Sequence, residues 1–348
     1  MKVLFFQIFC VFLLLSCKNE TARDGGNWEI ISENLKYRAV EDTLELKSGT
    51  FTFEIPASEL PYQKVILLNA SLVGYFTELG MEDRITGISS PEYVFSPAIR
   101  EKIARNKIHN IGNEQKYDVE KIIALKPQVI LTNYVANFEN TYEILRRNGI
   151  RIIFLNEYEE QNPLEKSAYL KVFGVLLGAG EKAEERFAEI SAEYNKLREL
   201  AATAATKPVV LANEMYGNQW FMPGGRTGLA RFLADAHAEY IHADNNDDRA
   251  VPMSFEEVYV KAQDAEFWVN AGNHPSRKNM LQLNPNYEKL EVFRNGKMYA
   301  VTGREVGKSN DFFESGVVRT DLILKDYIKI FHPTLLPDYN LTYMKELK

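Results

Sequence analysis

Cysteine is almost missing from this chain: Cys10 and Cys17 are the only two in 348 residues. Both lie near the N-terminus, so the body that follows has no disulfide and no thiol nucleophile or thiolate metal ligand. Histidine is scarce as well. His109, His237, His242, His274 and His332 are scattered, with no HExxH pair and no closely spaced ligand set. There is no GxSxG elbow and no GxxxxGK[ST] loop, and Gly224-Gly225 alone is not a dinucleotide fingerprint. Paired carboxylates such as Glu159-Glu160 and Asp247-Asp248 are adjacent in hydrophilic stretches, which suits solvated surface. Long basic runs are lacking too, and a net charge of -7 argues against a nucleic-acid surface. Together these absences weigh against a hydrolase, a resident metal cluster and a nucleic-acid binder.

What is present begins with a leader. Lys2 precedes an apolar run from Val3 to Leu15, followed by Ser16 and Cys17. A basic start, a short apolar run and a small residue at the cut describe a secretory signal over residues 1–17. The run is too short for a permanent membrane-spanning helix. Leu14-Leu15-Ser16-Cys17 resembles the bacterial lipobox, which implies acylation of Cys17 and a stable anchor of two or three chains. The polar stretch Lys18 to Asn27 then suits a tether.

The body divides by its periodicities. Thr50 to Ile55 alternates with period two, as do neighbouring patches, giving a β extension within residues 18–61. Over 62–163, short apolar runs (65–68, 85–88, 129–131, 150–155) alternate with helical stretches ending at Gly80, Lys126-Pro127 and Asn148-Gly149. That is an α/β lobe with a mostly parallel sheet. Residues 164–206 are helical, with a long helix predicted from Glu181 to Ala205 and closed by Lys207-Pro208. Over 207–348 the α/β pattern restarts: strands at 209–211, 267–269 and 298–301, a helix opened by Gly224-Gly225 and running to about Asp235, a helix 255–262 capped by Ser254, and a last helix from Val317 to Ile330. The expected fold is two α/β lobes linked by one long helix.

The order of these pieces resembles the ABC-transporter solute-binding proteins of the cobalamin, haem and ferric-siderophore group. The resemblance covers residues 62–335. It rests on Leu79-Gly80, Ile85-Thr86-Gly87-Ile88, Asp118-Val119-Glu120-Lys121-Ile122 leading to Leu125-Lys126-Pro127, Ser254-Phe255-Glu256-Glu257-Val258, Asn310 to Gly316, and Ile330-Phe331-His332-Pro333. Each motif is unspecific; the ordered set is specific. Between Asp235 and Tyr240, where such proteins often carry paired glycines, Ala236-His237-Ala238 stands instead.

The resemblance implies particular sites. Glu120 and Glu256 occupy equivalent helix starts in the two lobes, and in the family such carboxylates dock onto arginines of the permease dimer. The competing reading is an ordinary carboxylate favoured by a helix N-terminus. Trp220 and Phe221, in the apolar triplet before Pro223-Gly224-Gly225-Arg226, would cover a flat ligand from a cleft loop, or else pack beneath a turn. Arg226 would pair with a ligand acid or stand in solvent. Asp311, Phe312 and Phe313 match a second cleft loop. Tyr93, Tyr134 and Tyr216 follow strand ends, where ligands collect in α/β sheets; Glu114 and Gln115 have weaker support, and His237 and His242 are either ligand neighbours or packing groups.

The expected protein is therefore a monomeric binding protein without a cofactor of its own, its ligand being a metal chelate or tetrapyrrole that itself contains iron or cobalt. Its expected partners are an ABC permease dimer with ATPase subunits and, through the anchor, a membrane; no nucleic acid is expected. A free metal-ion carrier and a lipid-anchored hydrolase are the alternatives, and they would need a converging ligand set or a nucleophile–base pair respectively.

Overall fold

The computed structural model describes residues 26–348, so the leader, Cys10 and Cys17 lie outside the described residues. The strands Glu29–Ile30, Leu35–Val40, Thr43–Ser48 and Phe51–Pro56 form a four-stranded antiparallel sheet in chain order. Leu35, Leu44, Leu46 and Ile55 point inward and share a core with Tyr62, Val65 and Leu67. The sheet is thus an integral flank of the N-terminal lobe, because period-two alternation gave it one apolar face to bury.

That lobe is built on a five-stranded parallel sheet in the spatial order Arg151–Phe154, Val129–Thr132, Val65–Leu67, Ile85–Ile88, His109–Asn110. Its crossover helices are α1 (Val73–Leu79), α2 (Pro97–Ala104), α3 (Val119–Leu125) and α4 (Glu139–Arg147). Caps set their limits. Asp118 accepts the Lys121 N–H at 3.0 Å to start α3, and Gly80 ends α1 in the left-handed conformation, φ 66°.

Two helices then leave the lobe: α5 (Pro163–Leu177) and α6 (Gly180–Ala201). At 22 residues, α6 is about 33 Å long, enough to run from one lobe to the other. It stops at Ala201 rather than the expected Ala205. Thr203 Oγ1 donates to the Leu200 carbonyl at 2.7 Å, closing the helix end before the Lys207-Pro208 break.

The C-terminal lobe repeats the theme with a sheet ordered Glu239–Tyr240, Val209–Ala212, Phe267–Val269, Lys297–Ala300, Lys345–Glu346; its last strand runs antiparallel. Its helices are α7 (Gly228–Asp235), α8 (Phe255–Lys261), α9 (Arg277–Leu283), α10 (Glu291–Asn295), α11 (Ser315–Val318) and α12 (Thr320–Phe331).

Three sequence expectations need correction here. Trp220-Phe221-Met222 is not a loop but part of the strand Gln219–Pro223, paired between Met215–Tyr216 and Ala250–Met253. Gly224 and Gly225 do not open α7, which starts after Thr227, whose Oγ1 accepts the Ala230 N–H. They are glycines because a Cβ would lie 2.3 Å from the Asp247 carbonyl or 2.2 Å from that of Asn245. The last helix is two helices, broken at Arg319, whose guanidinium forks onto Asp321 at 2.9 and 2.8 Å. The C-terminal tail is held by buried Asp326, which accepts N–H groups of Thr342, Tyr343 and Met344 and the Tyr339 hydroxyl.

Candidate functional site

In the five-stranded sheet of each lobe the lobe's first strand lies between two later ones, and the crevice at such a position opens at the carboxyl ends of the strands. The two crevices face a common cavity of about 520 Å³. From the N-terminal lobe come Ser71, Asn133, Glu157 and Tyr158; from the C-terminal lobe Asn213, Pro223, Thr227, Asn270, Phe312 and Phe313. Its floor is Pro163 and Lys166 of α5, Phe232 of α7, and Thr320, Ile323 and Tyr327 of α12.

The polar part is held by strand-end side chains. Buried Glu157 accepts the Ser71 hydroxyl and the Asn133 amide, each at 2.7 Å, and Asn133 also donates to the Leu155 carbonyl. Across the cavity Asn213 and Asn270 both take left-handed backbone, φ 60° and 54°, at the ends of neighbouring strands. Asn213 donates to the Phe221 carbonyl at 3.1 Å, while Asn270 accepts the Tyr327 hydroxyl at 3.1 Å. Asparagine tolerates this backbone because its short amide bonds locally.

Charge inside the cavity is sparse. Burial pushes the Glu157 carboxyl above its ordinary range, with the bonds from Ser71 and Asn133 pulling the other way. Burial likewise lowers the Lys166 ammonium, opposed by Glu157 and Glu160. Lys166 forms no ion pair among the described residues. The remaining wall is largely carbon: Leu229, Phe232, Phe312, Phe313, Val317 and Ile323. Phe312 and Phe313 stand edge to face with centroids 5.1 Å apart, and Phe313 is 59% exposed. Such a surface suits a bulky, partly apolar solute fixed by a few polar groups. No group of three or more His, Cys, Asp or Glu able to hold a metal ion occurs among the described residues.

Of the nine residues expected to bind ligand, Phe312 and Phe313 line the cavity. Trp220 does not and is corrected to a core residue: it is 0% exposed, donates its Nε1–H to the Ala212 carbonyl at 3.0 Å and packs on Trp268. Alternation along its strand turns Phe221 the opposite way, to an exposed position off the cavity. Asp311 is buried in an ion pair with Arg304 at 2.9 Å. Tyr134 packs between Phe51 and Phe154, riveting the antiparallel sheet to the lobe. Tyr93 and Tyr216 are exposed and outside the lining, as are Glu114 and Gln115. Arg226 is exposed, without an ion pair among the described residues, one position before Thr227. His237 and His242 do not line the cavity either; the His332 ring lies 3.2 Å from the His237 carbonyl.

Sequence reasoning overlooked Asn133, Glu157, Lys166, Asn213 and Asn270. The signal was close at hand. Asn133 and Asn213 directly follow strands, one and three residues before the tyrosines chosen in their place.

Residues 65–305 match the family described as periplasmic binding protein. The chain belongs to that family. This binding protein is similar to an uncharacterized lipoprotein of Methanocaldococcus jannaschii, 23% identical over 79% of this chain and 66% of the relative, so it spans just under two thirds of that relative's length. Among solved structures it resembles a periplasmic heme-binding protein from Pseudomonas aeruginosa, with TM-score 0.62, 17% identity and coverage of 82% and 98%. It also resembles a siderophore-binding protein from Vibrio cholerae solved with Fe3+–Desferal, with TM-score 0.56 and 17% identity over 77% of this chain and 98% of that one. The fold is therefore the one expected, two α/β lobes joined by a long helix, and the protein is a solute-binding protein rather than an enzyme.

Proposed function

We propose that this protein is the substrate-binding lipoprotein of an ABC importer, capturing a metal chelate or tetrapyrrole-type solute between its lobes and delivering it to the permease dimer. The observation that carries this reading is the cavity of about 520 Å³ at the carboxyl ends of both sheets, walled mainly by carbon and holding one lysine without an ion pair. Its volume falls in the range of small-molecule sites. A solute whose metal is already chelated needs no protein ligand set, which agrees with the lack of a three-residue group among the described residues. Haem, a cobalamin and a ferric siderophore are the candidate solutes; neighbours of the same fold bind haem or a ferric siderophore.

Acylation of Cys17 completes the proposal, supported by the lipobox-like Leu14-Leu15-Ser16-Cys17 and by a relative named as a lipoprotein. The location proposed with it is periplasmic, with the chain lipid-anchored to a bacterial membrane. Glu120 and Glu256 are proposed to meet permease arginines.

The test is visible absorption and mass analysis of the purified protein, followed by titration with each solute and with free metal ions. Saturable binding of one chelate or tetrapyrrole is expected. Binding of free ions only would overturn the reading. Acid-stable lipid label lost in Cys17→Ser checks the anchor separately.

A further inference from the structure

The outward face of the N-terminal antiparallel sheet carries an arrangement that folding alone does not favour. Lys36 and Lys47 are direct cross-strand partners, and like charges placed opposite each other destabilise a sheet. Neither makes an ion pair among the described residues; Arg38 beside them is paired with Glu45 at 2.7 Å. All three cations gather on one ring. Lys36 Nζ, Arg38 Cζ and Lys47 Nζ stand 5.2, 4.6 and 5.0 Å from the centroid of Trp28. Next to Lys36 in register is Ile30, which is 71% exposed. Further along the same face Glu45 and Glu54 restore negative charge, so the cationic, aromatic and aliphatic group is confined to the edge nearest the chain's start.

That edge is also where the chain arrives from Cys17. Gly26 is nine residues beyond it, so even a fully extended connection holds this edge within about 32 Å of the acylated residue. Tryptophan with an aliphatic neighbour suits the water–headgroup boundary, and unpaired lysines suit phosphate. We infer that Trp28, Ile30, Lys36 and Lys47 form a contact surface for anionic phospholipid headgroups, which lays the protein against the membrane that holds its anchor. The reach argument rests on the proposed acylation; the surface itself does not, and the two are tested apart.

The chain from Lys18 onward contains every described residue and no anchor. It is mixed with vesicles of phosphatidylcholine alone and with vesicles carrying about one third phosphatidylglycerol. Trp220 and Trp268 are fully buried, so of the three tryptophans only Trp28 responds to its surroundings. Anionic vesicles are expected to shift its emission to the blue, shield it from acrylamide and sediment the protein, all reversed by salt. Lys36→Glu with Lys47→Glu should weaken sedimentation by roughly tenfold or more. Trp28→Phe should weaken it less and leave circular dichroism unchanged. Equal behaviour with neutral and anionic vesicles, or anionic binding that survives the double charge reversal, overturns the inference. Loss of lipid label on Cys17 would remove the anchor and leave this result standing.

Discussion

Glu314 accepts the backbone N–H of Ser96 at 2.9 Å and that of Phe95 at 2.6 Å, so a buried carboxylate from the segment bearing Phe312 and Phe313 clasps the start of α2 in the other lobe. Gly74 allows the approach, since a Cβ there would lie 2.4 Å from the Glu314 carbonyl. Burial pushes the Glu314 carboxyl up to about 7, with Asp311 adding to the shift and the two N–H bonds opposing it.

The sign of the consequence follows. Below pH 4.5 the group is protonated in both folded and unfolded chains, and above 7 it is ionised in both. Between these limits the folded state holds a proton that the unfolded chain has lost, so this group's contribution is present at low pH and is lost as pH rises through 7. Its size is on the order of 3 kcal/mol. Urea midpoints of wild type and Glu314→Gln, compared from pH 4.5 to 8, should agree most closely at pH 4.5, with the wild type losing stability relative to Glu314→Gln as pH rises through 7. An identical pH dependence in the two proteins would show that Glu314 is not the titrating group.

Trp220 and Phe313 should separate stability from binding. Trp220→Ala empties a fully buried site and should destabilise the protein by about 3–5 kcal/mol, with solute affinity per folded molecule unchanged. Phe313→Ala removes a half-exposed wall of the cavity and should leave the melting temperature nearly unchanged while weakening solute binding by about 1–2 kcal/mol. Calorimetric titration beside thermal melts checks both. Reversed phenotypes would move the cavity elsewhere.

The fold was legible because its signals are local and repeated. Asp118 and Ser254 announce their helices as caps, Gly80 and Lys126-Pro127 announce stops, and β-branched runs between them mark the parallel strands. The site was less legible because it depends on which way a side chain turns. Trp220 and Phe221 are adjacent, and only pairing with the strand Ala250–Met253 decides that one is core and the other exposed. Lys166 lies in a helix whose apolar faces point to both lobes, so its cavity position depends on packing between elements distant in sequence. Buried charges such as Glu314 and Asp326 hold backbone groups far along the chain, and no local pattern marks them.

Lys166 offers a test of the solute's charge. Its side chain is partly buried in the cavity and forms no ion pair among the described residues, and burial weakens its ammonium as a cation. An acidic group on the solute would supply the missing partner, so Lys166→Met should weaken binding at least tenfold, and Lys166→Arg should restore part of it. The loss should shrink for a solute analogue whose acids are esterified. Unchanged affinity in Lys166→Met would mean that the bound solute presents no anion at this end of the cavity.

Glu120 and Glu256 are the second residues of α3 and α8, two short helices whose caps work alike: Asp118 accepts the Lys121 N–H and Ser254 the Glu257 N–H. Both glutamates are exposed, and neither side chain is hydrogen-bonded or ion-paired to any other described residue or lines the cavity. A helix start favours a carboxylate, but only by a few tenths of a kcal/mol to about 1 at an exposed position. Glu120→Ala and Glu256→Ala should therefore leave stability and solute affinity nearly unchanged. If the two carboxylates meet permease arginines, each substitution should weaken the complex by about 2–5 kcal/mol where the pair is buried, and less at a wet rim. Glu→Lys should be worse than Glu→Ala, because it sets like charges together. The double variant should be the most defective, since one glutamate belongs to each lobe. Solute uptake or stimulated ATP hydrolysis in reconstituted vesicles, measured beside solution affinity, decides between docking and mere helix starts: wild-type transport by the double variant would leave these carboxylates no role beyond their helix ends.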